Sequence, residues 1–420
     1  MTPLDLIYLA AAGLTAPRWR RKNRGGWPER FGKGEPLPPT TNHASKPRIL
    51  LHGVSVGETS ALRPIVPLLQ DQGLDVVVSA TTDTGLARAR SLYAGVCPVV
   101  RYPLDASWAV RRFLDRVQPD AVALFELELW PQFVKACARR GIPVAVINGR
   151  LSARSFKGYR RLRFAIGPSF RRLAFAAVQD EAYAGRFREM GVARVEVTGS
   201  MKWDAVPMHA AGVSSKAADL ADALGLDRDR PLIVGASTAE GEEALLHKAC
   251  PPDAQLLCAP RHPERFAEAA SALPHCRRRS DPAAGVASSD RFLLDTIGEL
   301  SLAYELADLV VIGRSFGTLH GSDVGEPAGL GVAMLAGPRM GDFAIMADAL
   351  EAAGAMRRTS AASLTGDVAE LTADDAKRAQ MGEAARRCVA EHRGASARNA
   401  ALLGDLLHDR GNTRTARDRA

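Results

Sequence analysis

From residue 48 onward, the chain alternates short apolar runs with longer stretches of helical character. The runs are rich in Val, Ile and Leu and lack polar alternation, which is typical of strands buried on both faces. Such strands occur in parallel sheets whose two faces are covered by helices. The predicted strands form a first set at 48–55, 75–81, 97–102, 121–127, 143–148, 175–179 and 194–198, and a second set at 231–236, 255–259, 291–295, 309–313 and 332–336.

A polar, alanine-rich stretch at 204–230 separates the two sets and is the best domain boundary. The pattern therefore predicts an α/β protein of two Rossmann-like domains whose parallel sheets face each other across a cleft. A length of 420 residues is sufficient for two or three domains, each with its own core. The predicted parts are an N-terminal domain at 48–205, an interdomain linker at 206–230, a C-terminal domain at 231–404 and a disordered tail at 405–420.

Residues 3–17 are almost all apolar, and a basic cluster follows them at once. This run of 15 residues is too short for a membrane-spanning helix, which takes about 20. A secretory signal carries its positive charge before the apolar run, so the order here is reversed. We therefore expect a shallow membrane anchor with a basic flank over 1–33, at a cytoplasmic leaflet, and then a linker over 34–47. The alternative is a helix packed on the main body. The basic residues of the cluster are Arg18, Arg20, Arg21, Lys22 and Arg24.

The formal net charge of +8 indicates an anionic partner, which could be nucleic acid, a membrane surface or a substrate. The six cysteines are scattered, without a Cys-x-x-Cys pair. We interpret them as reduced thiols of a cytosolic protein, with neither a disulfide framework nor a zinc site. The Asp-x-Asp at 227–229 falls in the predicted linker and is interpreted as surface charge, so we expect no metal.

The first chemical motif is 55–60, which follows the first predicted strand and precedes a helix expected to open near Ala61. Gly53 and Gly57 allow the backbone to turn sharply and to approach a ligand closely. Glu58 would then lie at the edge of the sheet where open α/β proteins bind ligands. A helix N-terminus keeps such a carboxylate ionised, which suits a general base. Alternatively, Glu58 only complements the helix dipole.

Three further features of the first half carry charge. Glu126 and Glu128 lie on one face at the end of a predicted strand, where they either bind a partner at the sheet edge or form a buried ion pair with an arginine. Lys202 follows the last strand of the set. The basic, aromatic-containing segment 150–172 could hold the phosphates of a lipid head group or a nucleic acid, or it is a solvated helix face.

In the second half, several strands are followed by turns suited to a nucleotide. The spacing of Ser237 and Glu240 fits a capping box, which would present free backbone N–H groups to an anion. Pro263 suits the first turn of a helix and leaves Arg261 free to reach a phosphate. Residues 295–300 repeat the strand–Gly–helix arrangement, and Glu326 precedes a helix-starting proline. A carboxylate there can accept both hydroxyls of a ribose.

Taken in order, these motifs resemble those of the 3-deoxy-D-manno-octulosonic acid (Kdo) transferases, which attach Kdo to the lipid A precursor. The resemblance implies an inverting GT-B glycosyltransferase of lipopolysaccharide biosynthesis that uses CMP-Kdo as donor and needs no cofactor and no catalytic metal. It also implies a lipid A precursor (lipid IVA) as acceptor, an anionic membrane surface rather than nucleic acid as partner, and the cytoplasmic face of the inner membrane. The matching segments are 55–59, 126–131, 150–155, 198–202, 240–243, 260–266, 295–300 and 337–338.

The resemblance also implies roles for single residues. Glu58 matches the general base that acts on the acceptor hydroxyl. Glu126 and Lys202 match residues that stabilise the transition state. The positions that match CMP contacts are Pro260, Arg261, Ile297, Gly298, Glu299, Asp323, Val324, Gly325 and Glu326.

The chain departs from the family pattern in two segments. Where the family reads Gly-Gly-His-Asn-Pro-Leu-Glu, residues 320–326 of this chain read His-Gly-Ser-Asp-Val-Gly-Glu. Glu326 is retained, whereas Ser322 and Asp323 replace the His-Asn pair, and an added acid repels an anion. Ala239 replaces a histidine. The sequence leaves open the number of Kdo units, the exact acceptor and the oligomeric state. Two alternative functions also stay open: a GT-B enzyme that uses a UDP-sugar on a lipid acceptor, and a non-catalytic protein that binds anionic lipid.

Overall fold

A computed structural model describes residues 25–38, 46–208, 212–281 and 289–417. The chain divides into two compact units: unit 1 comprises Met1–Ala205 and His392–Ala420, and unit 2 comprises Val206–Glu391. The apolar run at 3–17 and its basic cluster lie outside the described residues. Among the described helices, none has the length and apolarity needed to cross a membrane.

Within its described residues, unit 1 contains a seven-stranded parallel sheet in the order β3-β2-β1-β4-β5-β6-β7. Its strands are β1 (Arg48–Gly53), β2 (Asp75–Ala80), β3 (Val99–Arg101), β4 (Ala121–Phe125), β5 (Val144–Gly149), β6 (Leu173–Val178) and β7 (Val195–Val197). Its helices are α1 (Trp27–Arg30), α2 (Val56–Ala61), α3 (Ile65–Asp71), α4 (Asp83–Leu92), α5 (Ser107–Val117), α6 (Pro131–Arg139), α7 (Ala153–Arg161), α8 (Arg163–Arg171) and α9 (Glu181–Glu189).

Unit 2 has a second seven-stranded parallel sheet, in the order β10-β11-β9-β8-β12-β13-β14 over its described residues. Its helices up to the last strand are α10 (Ser215–Leu224), α11 (Glu242–Ala249), α12 (Phe266–Ser271), α13 (Leu300–Leu306), α14 (Gly325–Leu330) and α15 (Ala344–Ala352). Three more helices follow: α16 (Leu364–Ala373), α17 (Asp375–His392) and α18 (Ala395–Arg417). Its strands are β8 (Leu232–Thr238), β9 (Gln255–Pro260), β10 (Arg277–Arg278), β11 (Arg291–Leu293), β12 (Leu309–Ile312), β13 (Ala333–Ala336) and β14 (Met356–Arg358).

The prediction of two parallel sheets from unbroken apolar runs is confirmed, and every predicted strand is present. The physical reason is visible in β1, where Ile49 and Leu51 enter one core and Leu50 enters a second core. Both faces of the sheet are therefore buried, so no polar alternation remains. Sequence reasoning missed β10 and β14, because these short edge strands contain arginines rather than an apolar run. The predicted facing of the two domains across a cleft stays a prediction.

The predicted C-terminal boundary at 404 and the disordered tail at 405–420 are corrected by α18. This helix extends to Arg417 and belongs to unit 1 rather than to unit 2. Leu403 and Leu407 are buried in the same core as Ile49. The carboxylate of Asp204 accepts hydrogen bonds from the backbone N–H groups of Gly394 and Ser396 at 2.6 and 2.5 Å. The tail was misread because its buried leucines are separated by charged residues at helical spacing.

Two other predicted boundaries also change. Residues 206–230 are more than a linker, because α10 buries Leu220 and Leu224 and is part of unit 2. The predicted anchor ended at residue 33, but α1 already packs on the body of unit 1. The side chain of Arg30 is 6 % exposed and pairs with Asp83 at 2.9 Å. An anchor can therefore include only residues before α1.

Candidate active site

The carboxyl ends of β1 and β4, which are neighbours in the unit 1 sheet, bring two predicted site residues to one edge. Glu58 lies in the first turn of α2, which begins at Val56 rather than near Ala61 as predicted. Glu126 directly follows β4. Because parallel strands end at a common edge, both carboxylates meet at the edge where α/β sheets bind ligands.

Both oxygens of the Glu58 carboxylate are fixed by the start of α2. The backbone N–H of Val54 donates to Oε2 at 2.8 Å, and the Ser55 hydroxyl donates to Oε1 at 2.9 Å. In return, the Ser55 oxygen accepts a hydrogen bond of 3.4 Å from the Glu58 N–H. This reciprocal arrangement is a capping box. It holds the carboxylate in one orientation and leaves lone pairs for a substrate proton.

Glu126 is held at its position by an ion pair and by an unusual backbone conformation. Its φ of +61° is in the left-handed region, and its carboxylate Oε1 lies 2.9 Å from the Lys202 Nζ. The partner is thus a lysine, not the arginine that the sequence alternative considered. Asn148 accepts a hydrogen bond from the Met201 N–H at 2.9 Å and so orients the turn that carries Lys202. Sequence reasoning assigned no role to Asn148, although asparagine tolerates its φ of +51° well.

The environment of Glu58 raises its pKa above the ordinary glutamate value. Burial is the largest cause, and the negative charge of Glu126 adds to it. The hydrogen bonds from Val54 and Ser55 and the charge of Lys202 act in the opposite direction. The sequence predicted that the helix N-terminus keeps Glu58 ionised, and the hydrogen bonds at the start of α2 do act in that direction, but burial outweighs them in the pKa. A carboxylate with a raised pKa is a stronger base, which still suits proton removal from a hydroxyl.

A third carboxylate, that of Glu128, belongs to the same cluster. Burial, followed by the charges of Glu58 and Glu126, raises the pKa of Glu128 to about 7, against a hydrogen bond from Trp130. That bond runs from the Trp130 indole N–H to Oε2 of Glu128 at 3.0 Å. The cluster thus combines three carboxylates with the ammonium group of Lys202.

The basic segment 150–172 forms α7 and α8 beside this cluster. No residue of α7, which the structure describes completely, is fully buried, although Phe156 and Tyr159 are partly buried. The pKa of Tyr159 in α7 is raised, first by burial and then by the negative charge of Glu128, so this helix lies close to the carboxylates. Leu162, between the two helices, and Phe164, in the first turn of α8, are 50 and 83 % exposed. The basic side chains of the two helices are Arg154, Lys157, Arg160, Arg161, Arg163 and Arg171.

In unit 2, the edge formed by the carboxyl ends of β9 and β12 brings three predicted donor-binding residues around one buried phenol. Tyr304 of α13 has its pKa raised by burial and then by the charges of Glu326 and Asp323, against the charge of Arg261. Arg261 itself is exposed and directly follows β9. A cation and two carboxylates at one sheet edge can bind a phosphate and ribose hydroxyls together. Tyr304 was missed by sequence reasoning.

The Asp323 that departs from the family pattern has a local structural role. Its Oδ1 accepts a hydrogen bond of 2.8 Å from the Gly325 N–H at the start of α14. An asparagine oxygen can accept the same bond, so the exchange preserves the turn while adding a negative charge. Val324 and Gly325 are buried at this helix start, and Glu326 lies in its first turn.

The remaining donor positions lie at the end of β9 and in the turn that follows β11. Pro260 is the buried last residue of β9. Ile297, which is 74 % exposed, and Gly298, with φ of +98°, form the turn before α13. Glu299 pairs with Arg279 at 3.0 Å. Although burial acts to raise its pKa, hydrogen bonds from Thr296 and Arg279 hold that pKa below the ordinary value. The side chain of Glu299 is thus used within the protein, and the donor contacts at these positions stay a prediction.

The predicted capping box at Ser237–Glu240 is wrong. Strand β8 continues to Thr238, and α11 begins only at Glu242. Glu242 is buried and accepts hydrogen bonds from four backbone N–H groups, those of Ala239, Arg314, Ser315 and Phe316. It therefore ties the end of β8 to the loop after β12. Sequence reasoning misplaced this helix start because both glutamates at 242 and 243 are buried, which is rare for a charged residue.

Among the described residues, no group of three or more His, Cys, Asp and Glu side chains is placed to hold a metal ion. Asp227 and Asp229 lie on an exposed turn, where the Asp229 N–H donates to the Asp227 carboxylate at 3.0 Å. This turn agrees with the interpretation of the Asp-x-Asp as surface charge.

Comparison with known proteins gives consistent results along the chain. The family model described as 3-deoxy-D-manno-octulosonic-acid transferase (kdotransferase) matches residues 25–205. A 3-deoxy-D-manno-octulosonic acid transferase of Bordetella pertussis is 34% identical over an alignment of 416 residues that covers 93% of this chain and 95% of the relative. One from Haemophilus influenzae is 28% identical over 425 residues, with 96% of each chain covered.

Among solved structures, MurG of Acinetobacter baumannii matches with a TM-score of 0.53 at 16% identity, covering 86% of this chain and 99% of that chain. At that identity the likeness shows the fold alone. It supports the GT-B class that the sequence implied.

Proposed function

This chain belongs to the 3-deoxy-D-manno-octulosonic acid transferase family and is a glycosyltransferase of lipopolysaccharide synthesis, and we propose that it moves Kdo from CMP-Kdo to a lipid A precursor. The observation that carries the proposal is the Glu58 carboxylate, which is held by two hydrogen bonds beside the Glu126–Lys202 ion pair. A fixed, partly buried carboxylate with a raised pKa is the group that deprotonation of a sugar hydroxyl requires.

The proposed reaction is a single displacement at the anomeric carbon of Kdo. The bond from that carbon to the phosphate oxygen breaks, and CMP leaves with the bonding electrons. A glucosamine hydroxyl of the acceptor attacks from the opposite face, so the anomeric configuration inverts. Glu58 takes the hydroxyl proton. No metal is required, because CMP is a good leaving group when positive groups hold its phosphate.

Glu126 and Lys202 are proposed to stabilise the transition state. Positive charge develops at the anomeric carbon as CMP departs, and the Glu126 carboxylate lies on the same sheet edge as Glu58 to offset it. Lys202 holds that carboxylate at 2.9 Å and so limits its movement. Pre-oriented charges of this kind need no rearrangement during the reaction.

Donor binding is assigned to unit 2. Arg261 would hold the CMP phosphate, and Glu326 would accept the ribose hydroxyls. The support for this is that the charges of Arg261, Glu326 and Asp323 all shift the pKa of Tyr304, so the three side chains lie near the same phenol. The added charge of Asp323 disfavours an anion next to it, whereas its hydrogen bond to Gly325 restrains its position. The other residues that the sequence predicts as CMP contacts lie near these residues along the chain.

Replacing Arg261 by Ala is expected to weaken CMP binding by about 1.5–3 kcal/mol, the range for a hydrogen bond to a charged group. Isothermal titration of the full chain with CMP measures this loss. Arg228→Ala is the matched control, because Arg228 is an exposed arginine of the same unit on the Asp227 turn. Unchanged CMP affinity in Arg261→Ala would place the phosphate site elsewhere.

The acceptor is proposed to reach the site from a membrane surface. The α7–α8 pair presents six basic side chains around the exposed Leu162 and Phe164. Basic residues attract an anionic bilayer or a bis-phosphorylated lipid, and exposed apolar side chains can enter it. The proposal places the protein at the cytoplasmic face of the inner membrane. Nucleic acid is not proposed as a partner, because it would leave Glu58 and Glu326 without a role.

A transfer assay tests the proposed function directly. Labelled Kdo, supplied by a CMP-Kdo-generating system, is expected to appear in lipid IVA, with an unchanged rate in excess EDTA. Incorporation from UDP-sugars but not from CMP-Kdo would favour the rival GT-B enzyme. Lipid binding without turnover would favour the non-catalytic rival.

A further inference from the structure

A second cationic feature of unit 1 is an open pocket between the segment 32–36 and helix α5. We call it the α5 pocket. It is distinct from the carboxylate cluster and from the α7–α8 surface. The cations that line it are Lys33, Arg112 and Arg116.

The guanidinium of Arg116 is incompletely paired. Its Nε and Nη2 are buried and have no hydrogen-bond partner among the described residues. Its Nη1 donates only a long bond, 3.5 Å, to the Lys33 carbonyl oxygen. Arg116 as a whole is partly exposed, but buried guanidinium nitrogens without hydrogen-bond partners are energetically costly. In agreement, burial lowers the pKa of Arg116, and the charge of Glu29 only partly opposes this.

The acidic side chain that lines the pocket does not neutralise these cations. Asp115 forms an ion pair of 2.7 Å with Arg140, and its side chain is 62 % exposed. Arg112 has its guanidinium 5.3 Å from the centre of the Trp108 ring, a cation–π contact that leaves its charge in place. The pocket therefore keeps an excess of positive charge.

The backbone of the segment is shaped for close approach to α5. Gly34 has φ of +145°, and a Cβ there would lie 2.1 Å from the Arg116 Nη1. Gly32 has φ of +73°, and a Cβ there would lie 2.2 Å from the Ala109 carbonyl oxygen. Both positions therefore require glycine. The contact between the segment and the arginine is built into the fold rather than incidental.

An aromatic row begins next to the pocket, since Trp108 contacts the pocket residue Arg112. The rings of Trp27 and Phe31 lie 5.7 Å apart, and those of Phe31 and Trp108 lie 5.2 Å apart. Trp27 is 38 % exposed. Tryptophans beside basic residues are typical of the boundary between a bilayer and water. The apolar run at 3–17 precedes this row in the chain, which points to a lipid as the occupant.

We propose that the α5 pocket binds the phosphate of an anionic phospholipid head group. Guanidinium groups match phosphate oxygens in a paired geometry, and a phosphate would supply the counter-charge that Arg116 lacks. The aromatic row would lie at the level of the head groups. This site goes beyond the transfer reaction: the bound lipid is neither donor nor acceptor, and it would orient unit 1 on the membrane.

The test compares two double variants of the full chain that lose the same charge. The pocket variant, Arg112→Gln with Arg116→Gln, removes both arginines that line the pocket. The control variant, Arg111→Gln with Arg139→Gln, removes two exposed arginines that do not line it. Each basic residue near an anionic surface contributes about 1 kcal/mol, or roughly a fivefold change in affinity. Affinity for phosphatidylcholine vesicles containing phosphatidylglycerol is expected to fall about tenfold or more for the pocket variant. The control is expected to change far less.

Binding of short-chain phosphatidylglycerol and of inorganic phosphate distinguishes a specific lipid site from a general electrostatic attraction. Saturable binding of the short-chain lipid, lost in the pocket variant and retained in the control, supports the proposal. Equal losses in both double variants, or equal affinity for inorganic phosphate and the lipid, would overturn it. Since Arg116→Gln can impair folding, Lys33→Gln with Arg112→Gln, both at exposed positions, provides a second pocket variant. Kdo transfer to detergent-dispersed acceptor is expected to stay unchanged in all of these variants. A negative result for the lipid site can therefore be distinguished from a failure of the proposed transfer reaction.

Discussion

Glu58→Gln is expected to lower Kdo transfer by about 10² to 10⁴, the usual contribution of general-base catalysis, while CMP binding stays nearly unchanged. The amide keeps the size of the side chain and can still accept a hydrogen bond from Val54 or Ser55, but it cannot accept the proton. The rate of transfer at saturating donor and acceptor measures the loss. Titration with CMP in parallel shows whether the donor site is intact.

Glu181→Gln is the matched control, because Glu181 lies in the first turn of a helix in the same unit, after β6. It is expected to keep the wild-type rate. If Glu58→Gln retained more than half of the wild-type rate, Glu58 would only cap α2, and the proposed mechanism would be wrong.

The same residue sets the expected pH dependence. Glu58 must be deprotonated to act as a base, and burial raises its pKa above the ordinary glutamate value. Transfer should therefore decline, as the pH falls, at a higher pH than for an unperturbed glutamate. The pH profile of kcat/KM reports this group in the free enzyme. An acid limb at or below the ordinary glutamate value would mean that another group limits the rate.

Removal of residues 1–24 is expected to separate membrane binding from catalysis. The deletion removes the apolar run and five basic side chains, each worth about 1 kcal/mol at an anionic leaflet. Flotation with anionic vesicles should therefore fall sharply. Folding should survive, because α1 and the sheet begin after the deletion, and transfer to detergent-dispersed acceptor should continue.

A longer deletion, of residues 1–33, is the informative comparison. It also removes α1, including Arg30, whose buried side chain pairs with Asp83, and Glu29, which pairs with Arg101 at 3.1 Å. Its melting temperature should fall well below that of the shorter deletion. Undiminished flotation without residues 1–24 would assign membrane binding to the α7–α8 surface and the α5 pocket. Loss of folding in the shorter deletion would make the N-terminal run part of the core.

Asp323 stands where the family pattern has an asparagine, and the structure shows which property of that position is kept and which is changed. From sequence, an acid in place of asparagine predicted only repulsion of an anion. The structure adds that this carboxylate accepts the hydrogen bond of the Gly325 N–H and so maintains the start of α14. The local fold around Glu326 is thus preserved by an exchange that changes the charge.

The carboxylate cluster shows a similar division. The structure brings together Glu58, Glu126 and Lys202, which the sequence order predicted as site residues. The sequence order could not predict that burial raises the pKa of Glu58, or that burial and neighbouring charges raise the pKa of Glu128 to about 7. Both effects depend on neighbours that are distant in the chain. Tyr304 and Asn148 were missed for the same reason. Each acts through contacts with residues from other elements.

The sequence alone determined the positions of twelve of the fourteen described strands and the parallel class of both sheets, because a strand buried on two faces must be apolar along its whole length. It also determined which acids and bases follow strand ends, since order along the chain places them at the carboxyl edge. Only the tertiary structure decided that α18 returns to unit 1, where Leu403 packs with Ile49. It likewise decided that Glu242 and Glu243 are buried, and that the partner of Glu126 is Lys202. Such contacts join residues far apart in sequence, and their free energy depends on the exclusion of water by the whole folded unit rather than on any local pattern.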